Sequence, residues 1–301
     1  MSKLITLFSA PKPFTNPHIN LIQRNAIQSW LHLGEEVEVF LVGEEEGLDH
    51  VAQEYGVPQL TPVRCNELGT PLVSSIFELA RRASQAPLMA YVNADILLLP
   101  DFVQAAKTLW AQRERFLAVS QRWDVEVTVE LDFSEGWEQR LKAKIMRHGR
   151  LHPPAGSDLF LFPRTEFTAI PDFAVGRAGW DNWMIYASWQ QGIPVVDLTP
   201  SVTIIHQDHD YSHLPGGQPH YNLEESQRNL ELAGGMRAMY YILDSHVQLK
   251  DGRLRRPPQS LLRLLRKLEL RLMPSEEQRH GWRWWLARRF RRARRFRMKE
   301  N

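Results

Sequence analysis

Asn93 and Asp95 stand two residues apart where the apolar run Leu88 to Val92 gives way to a short polar turn, before Ile96-Leu97-Leu98-Leu99-Pro100. Polar side chains at that spacing on a strand end face the same way, so both reach one ligand in a crevice at a sheet edge. Asp95 offers the hard carboxylate oxygen that Mg2+ or Mn2+ prefers, and such ions are held by one or two carboxylates together with a ligand's phosphates. The turn therefore suits a metal-bound diphosphate. For an isolated N-x-D, an Asp that only caps the next turn would be the better explanation, so the surroundings have to decide.

A second group lies late in the chain. His206, His209 and His213 resemble a zinc set, but this spacing shares one face only on a helix, and Asp208, Tyr211 and Pro215 argue for a loop. One ligand, His206, fits better than three, with His209 and His213 left as phosphate contacts or supports. Asp181, in Trp180-Asp181-Asn182-Trp183, stands at a predicted helix start and suits an N-cap. Asp158, behind a Gly-Ser turn, either orients an acceptor hydroxyl or caps that turn.

The elements that must carry these residues alternate in type. Leu4 to Phe8 and Glu38 to Val42 read as strands, and Ile19 to Leu33 between them repeats apolar residues at helical spacing until Gly34. Helices over 48–55 and 72–84 precede the strand Leu88 to Val92, and a helix over 101–110 precedes the strand Phe116 to Ser120. Asp158 to Phe162, Pro194 to Leu198 and Val202 to Ile205 read as further strands, with a helix from Trp180 to Gly192 between the first two. This alternation predicts an α/β fold with a mostly parallel sheet covered on both faces.

Length and composition set the bounds. A chain of 301 residues, 43% hydrophobic, buries a large core and is not disordered. Its single cysteine, Cys65, excludes an internal disulfide framework and a cysteine-based zinc cluster, and suits a reducing compartment. The N-terminal apolar run is too short for a secretory signal, and no segment has the 18 or so uninterrupted apolar residues of a membrane span. The expectation is a cytosolic protein or one attached to a cytosolic membrane face.

At this point the order of features resembles the nucleotide-sugar-dependent glycosyltransferases of the GT-A fold, bacterial family 2 members among them. Asn93-Ala94-Asp95 with its apolar run and Pro100 is similar to their D-x-D turn, with Asn in place of the first Asp. Gly176 to Trp183 resembles their glycine- and tryptophan-rich segment, and Thr203 to Asp208 the late strand whose histidine closes the metal site. The resemblance implies Mn2+ or Mg2+ held by Asp95 and His206, and a donor, UDP- or GDP-linked before others, bound by Ser9, Ala10, Pro11, Asn93 and Asp95. It also implies Asp181 as the general base of an inverting transfer. Asp158 and Trp180 become acceptor contacts, although most of the ten tryptophans must be core or rim.

The C-terminal part differs in charge. Residues 253–301 carry 17 Lys and Arg against 4 Asp and Glu, a balance of +13, which leaves 20 against 31, or −11, for residues 1–252. Leu261, Leu264, Leu265, Leu268 and Leu272 form one helical stripe, and Trp282, Trp285, Leu286, Phe290, Ala293 and Phe296 a second, with arginines between. Such stripes describe helices in an anionic membrane interface; nucleic-acid binding is the competitor, and a solvated tail the plain alternative.

The expectation is therefore a metal-dependent glycosyltransferase body over 1–252, with a membrane-contacting tail over 253–301. Its acceptor would be a saccharide or a lipid-linked saccharide, as in polysaccharide biosynthesis. The alternatives are a nucleotidyltransferase, which would carry a Gly-rich basic loop where Ser9 to Phe14 has only Lys12, and a non-catalytic membrane or nucleic-acid adaptor.

Overall fold

A computed structural model describes residues 2–208, 223–274 and 280–300. The first half contains β1 (Ile5–Ser9), α1 (Pro17–Leu31), β2 (Val37–Val42), α2 (Leu48–Tyr55), β3 (Gln59–Leu60), α3 (Val73–Ala83), β4 (Leu88–Val92), β5 (Ile96–Leu98), α4 (Asp101–Trp110) and β6 (Leu117–Val119). The second half adds β7 (Arg122–Val125), α5 (Trp137–His148), β8 (Arg150–Leu151), β9 (Leu159–Pro163), α6 (Trp180–Gln190), β10 (Val195–Asp197) and β11 (Ile204–Gln207). It closes with α7 (Glu224–Leu232), β12 (Val247–Lys250), β13 (Arg253–Arg255), α8 (Leu261–Leu272) and α9 (Gly281–Glu300).

Nine strands form one sheet in the order β13-β12-β10-β6-β9-β4-β1-β2-β3. Its strands run parallel except β9, antiparallel to β4 and β6, and β13, antiparallel to β12. Period-2 alternation divides the sheet's side chains between two apolar layers. Ile5, Leu88, Ala90, Leu159 and Leu161 enter one, and Phe8, Met89, Tyr91, Phe160 and Phe162 the other. The α/β class and mostly parallel sheet expected from the alternation are present.

A smaller sheet, β5-β11-β7-β8, stands beside the main one. It is built on α1. Asn16 starts that helix by accepting from the N–H groups of His18 and Ile19, with Pro17 at the first helical position. Further along, Trp30 Nε1 donates to the carbonyl of Ile96 at 2.9 Å and Ser29 Oγ accepts from the N–H of Leu98 at 3.1 Å, which fixes β5. β5 then pairs with β11, placing Ile96 opposite His206.

Helix α6 corrects one expectation. Its N-cap is Gly179, at φ 108°, so Asp181 lies in the first turn rather than at the cap. The left-handed backbone there suits glycine and strains any residue with a Cβ. The division expected at 252/253 falls in the β12–β13 turn, so strand pairing runs across it. Among the described residues no helix is long and apolar enough to cross a membrane.

Candidate active site

Asp95 and His206 converge at the carboxyl ends of the strands. Asp95 follows β4 in the turn to β5, and His206 comes from β11 with Nε2 3.8 Å from Asp95 Oδ2. Gln207, fully buried beside His206, ties the two elements together. Its N–H and Nε2 both donate to the Asp95 carbonyl, Nε2 also donates to Ile22, and Oε1 accepts from Asn25 Nδ2 at 3.1 Å.

The other imidazole nitrogen is held by acids. His206 Nδ1 lies 3.3 Å from Asp124 Oδ1 and 3.3 Å from Asp208 Oδ1. Burial lowers the His206 pKa, but Asp124, Asp208 and the charge of Asp95 outweigh it and raise it to about 9. Asp124, 3% exposed, also takes a 2.7 Å contact from His152 Nδ1 and a 2.9 Å hydrogen bond from Arg122 Nε. Burial pushes the Asp124 carboxyl up, yet His152, His206 and Arg122 together hold it well below the usual range.

Asn93 and Asp158 form the neighbouring patch. Asn93 Nδ2 donates to Asp158 Oδ1 at 2.8 Å, and Arg122 Nη1 reaches both Asp158 oxygens at 2.8 and 2.9 Å. The Asp158 carboxylate is thus engaged in fastening Arg122 and Asn93, which removes the reason to assign it to an acceptor hydroxyl. Asn93 and Asp95 also turn to different partners, because the chain leaves strand geometry after Val92.

Asp181 is half-buried. Burial and the nearby charge of Asp158 raise its carboxyl to about 6, against the pull of the N–H groups of Asn182, Gly179 and Asp181 itself. Its neighbour Asn182 donates to the carbonyl of Tyr240 at 2.8 Å, anchoring the helix start. Trp180 is 5% exposed and packs edge-on against Tyr91 with centroids 5.1 Å apart, so it is core rather than a face for an acceptor sugar.

Ser9, Ala10 and Pro11 follow the end of β1. The Ser9 hydroxyl is buried without a hydrogen-bond partner among the described residues. Lys12, next in line, has its peptide clasped by Gln23, which accepts from the Lys12 N–H at 2.7 Å and donates to its carbonyl at 2.9 Å. Burial lowers the Lys12 pKa while Asp95 opposes the shift. His209, Tyr211, His213 and Pro215 lie outside the described residues.

The donor set suits a hard divalent ion. Oxygen and imidazole ligands each stand roughly 2.1 Å from such a metal, and the 3.8 Å between Asp95 Oδ2 and His206 Nε2 is a separation that two ligands of one ion can take. Asp124, His206 and Asp208 also offer ligand atoms within 4.8 Å of one another. Asp124 already accepts from Arg122 and contacts His152, so it is better placed to hold the Nδ1 side of His206 and leave Nε2 toward Asp95.

A cavity of about 370 Å³ lies beside this network, between the body and the C-terminal helices. Leu151, Pro154, Ile242, Leu243, Leu262 and Met298 make its walls largely apolar, and His152, which contacts Asp124, reaches its edge.

Sequence reasoning missed Arg122, Asp124, His152 and Gln207. The short alternation in Arg122-Trp123-Asp124-Val125 was the one available signal, and a four-residue strand carries it weakly.

No family model matches the chain, and no curated protein matches it. Among solved structures, the chain is similar to glucosyl-3-phosphoglycerate synthase from Mycobacterium tuberculosis in complex with Mg2+ and uridine-diphosphate: 17% identity, 86% of this chain and 87% of that chain covered, TM-score 0.46. The same synthase in complex with Mn2+, uridine-diphosphate-glucose and phosphoglyceric acid is similar at 16% identity, with 78% and 80% covered and a TM-score of 0.46.

Proposed function

We propose that the chain is a GT-A-type glycosyltransferase that moves a sugar from a nucleoside diphosphate, UDP or GDP, to a saccharide or lipid-linked acceptor with inversion. The observation that carries this reading is the convergence of Asp95 Oδ2 and His206 Nε2 at the strand ends. In it, Asp95 and His206 would hold Mn2+ or Mg2+, His206 through Nε2 once the ion has displaced the proton there. The ion supplies Lewis-acid neutralisation of the departing diphosphate. The small residues Ser9, Ala10 and Pro11 admit the nucleotide close to the backbone, with the buried Ser9 hydroxyl available to it.

Asp181 takes the proton of the attacking acceptor hydroxyl. A carboxyl near 6 is ionised at neutral pH and is a stronger base than an ordinary aspartate, and a positioned base contributes typically about 10²–10⁴-fold. The apolar cavity beside His152 supports an acceptor that has an apolar part. Residues 253–301 belong to this reading as a contact with an anionic inner-membrane surface. The division of labour is a catalytic body over 1–252 and a membrane-contacting part beyond it.

A thermal-shift panel of UDP-, GDP-, CMP- and dTDP-sugars, each with Mn2+ and with chelator, tests the donor assignment, because a ligand of the folded state alone raises its melting temperature. One nucleotide class should raise it, and more with Mn2+. A panel in which no nucleotide sugar moves the melting temperature overturns the reading.

A further inference from the structure

Helix α8 is packed the opposite way round from an ordinary amphipathic helix, and α9 buries Arg294 beside Ala287 and Met298. α8 turns Arg263, Arg266 and Glu269 inward, all buried. Arg266 Nε and Nη2 bond the Asp244 carboxylate at 2.9–3.0 Å, and Arg263 Nη1 donates to the carbonyl of Leu243 at 2.6 Å. α9 packs on α8 and brings Arg291 Nε and Arg294 Nε to the two oxygens of Glu269, at 2.7 and 3.1 Å. Arg266 and Arg294 also lie over the Tyr241 ring, 4.8 and 4.9 Å from its centroid.

With these charged side chains satisfied inside, part of each apolar stripe is left exposed, while Leu265, Leu268, Leu272, Leu286 and Phe290 are half-buried. Leu261 and Leu264 on α8 are 46% and 52% exposed, and Trp282, Trp285 and Phe296 on α9 are 68%, 53% and 64% exposed. These five are among only eleven exposed large apolar side chains in the described residues, and the other six are spread along the rest of the chain. On α9 the aromatic face includes Arg289, stacked over Trp285 at 4.8 Å, and the neighbouring Arg288, Arg292, Arg295 and Arg297 are exposed.

From this packing we infer that the outward face of the α8–α9 hairpin is a docking surface for an anionic lipid bilayer, with the opposite face committed to the body. The inference deepens the membrane part of the proposed function and is independent of its donor chemistry. Tryptophan and phenylalanine among arginines match a headgroup boundary, where the rings enter the acyl edge and the guanidinium groups meet anionic headgroups. Nucleic acid would satisfy the arginines but would leave Leu261 and Leu264 without a role.

The test uses the full chain and phosphatidylcholine vesicles with and without phosphatidylglycerol, at low salt. Wild type should co-sediment with the phosphatidylglycerol vesicles and little with the neutral ones. A Trp282→Ser/Trp285→Ser/Phe296→Ser variant alters only exposed positions and keeps every charge, so it should fold normally and lose roughly tenfold or more of vesicle binding. The half-buried Phe290 is left in place to spare the helix packing. Failure of wild type to sediment, equal sedimentation of the Ser variant, or oligonucleotide binding in place of vesicle binding would each overturn the inference. Titration of UDP into the same Ser variant keeps the two readings apart, since nucleotide binding should be unchanged.

Discussion

A carboxylate kept near pKa 6 costs the fold stability, and that cost is measurable at Asp181. Its folded-state pKa lies above the ordinary 3.8, so the native state binds this proton more tightly than the unfolded chain. The linked stability is full below about pH 4 and is lost as pH rises through about 6. Asp181→Asn should therefore gain roughly 2 kcal/mol at pH 8 and almost nothing at pH 3, while sugar transfer falls by about 10² or more. In wild type, kcat should climb through pH 6 as the base ionises, and the Asn variant should lose that limb. An Asn variant with native turnover would move the base elsewhere. Asp124 makes a second residue-scale prediction. Asp124→Asn keeps the shape but weakens the hold on His206 Nδ1, so Mn2+ affinity, read by electron paramagnetic resonance, should drop about 10–100-fold. An unchanged affinity would remove Asp124 from the site. The approach of Asp95 and His206 was legible because each follows an apolar run, and Asp181 was legible as part of a helix start, though in its first turn rather than at the cap. Arg122, Asp124 and His152 were not, because β7–β8 pairing sets their positions, and register across sequence distance leaves little local trace.

At the scale of elements, α1 was readable from its periodicity though not from its Asn16 cap, and β1, β2, β4, β6, β9 and β10 from their apolar runs, whereas the short β3, β12 and β13 were not. The antiparallel direction of β9 was not, since a strand buried on both faces has the same composition whichever way it runs. The inward face of α8 was illegible for a different reason. Leucine stripes usually mark the packed side of a helix, but here Asp244 and Glu269 complete the arginines and turn that rule over. Removing one member of such a buried set leaves an uncompensated charge. Arg266→Met should cost about 3–5 kcal/mol, whereas Arg289→Met on the exposed face of α9 should stay within about 0.5 kcal/mol. Urea unfolding midpoints decide this, and equal midpoints for the two variants would mean that the hairpin is not fastened to the body through Arg266.

At the scale of the whole molecule, an acidic body with a balance of −11 carries a C-terminal part at +13. In the proposed function the diphosphate would settle at the strand ends, among Asp95, Asp124, Asp158 and Asp208, and a bound cation would offset those carboxylates for a polyanion. The most direct measurement of this claim is calorimetric titration of UDP into wild type and Asp95→Ala, each with Mn2+ and after chelation. A metal-assisted site predicts that Mn2+ tightens UDP binding at least roughly tenfold in wild type, equivalent to about 1.4 kcal/mol, and that Asp95→Ala abolishes most of this gain. Equal UDP affinities in all four titrations, or a Mn2+ effect that survives in Asp95→Ala, would contradict it.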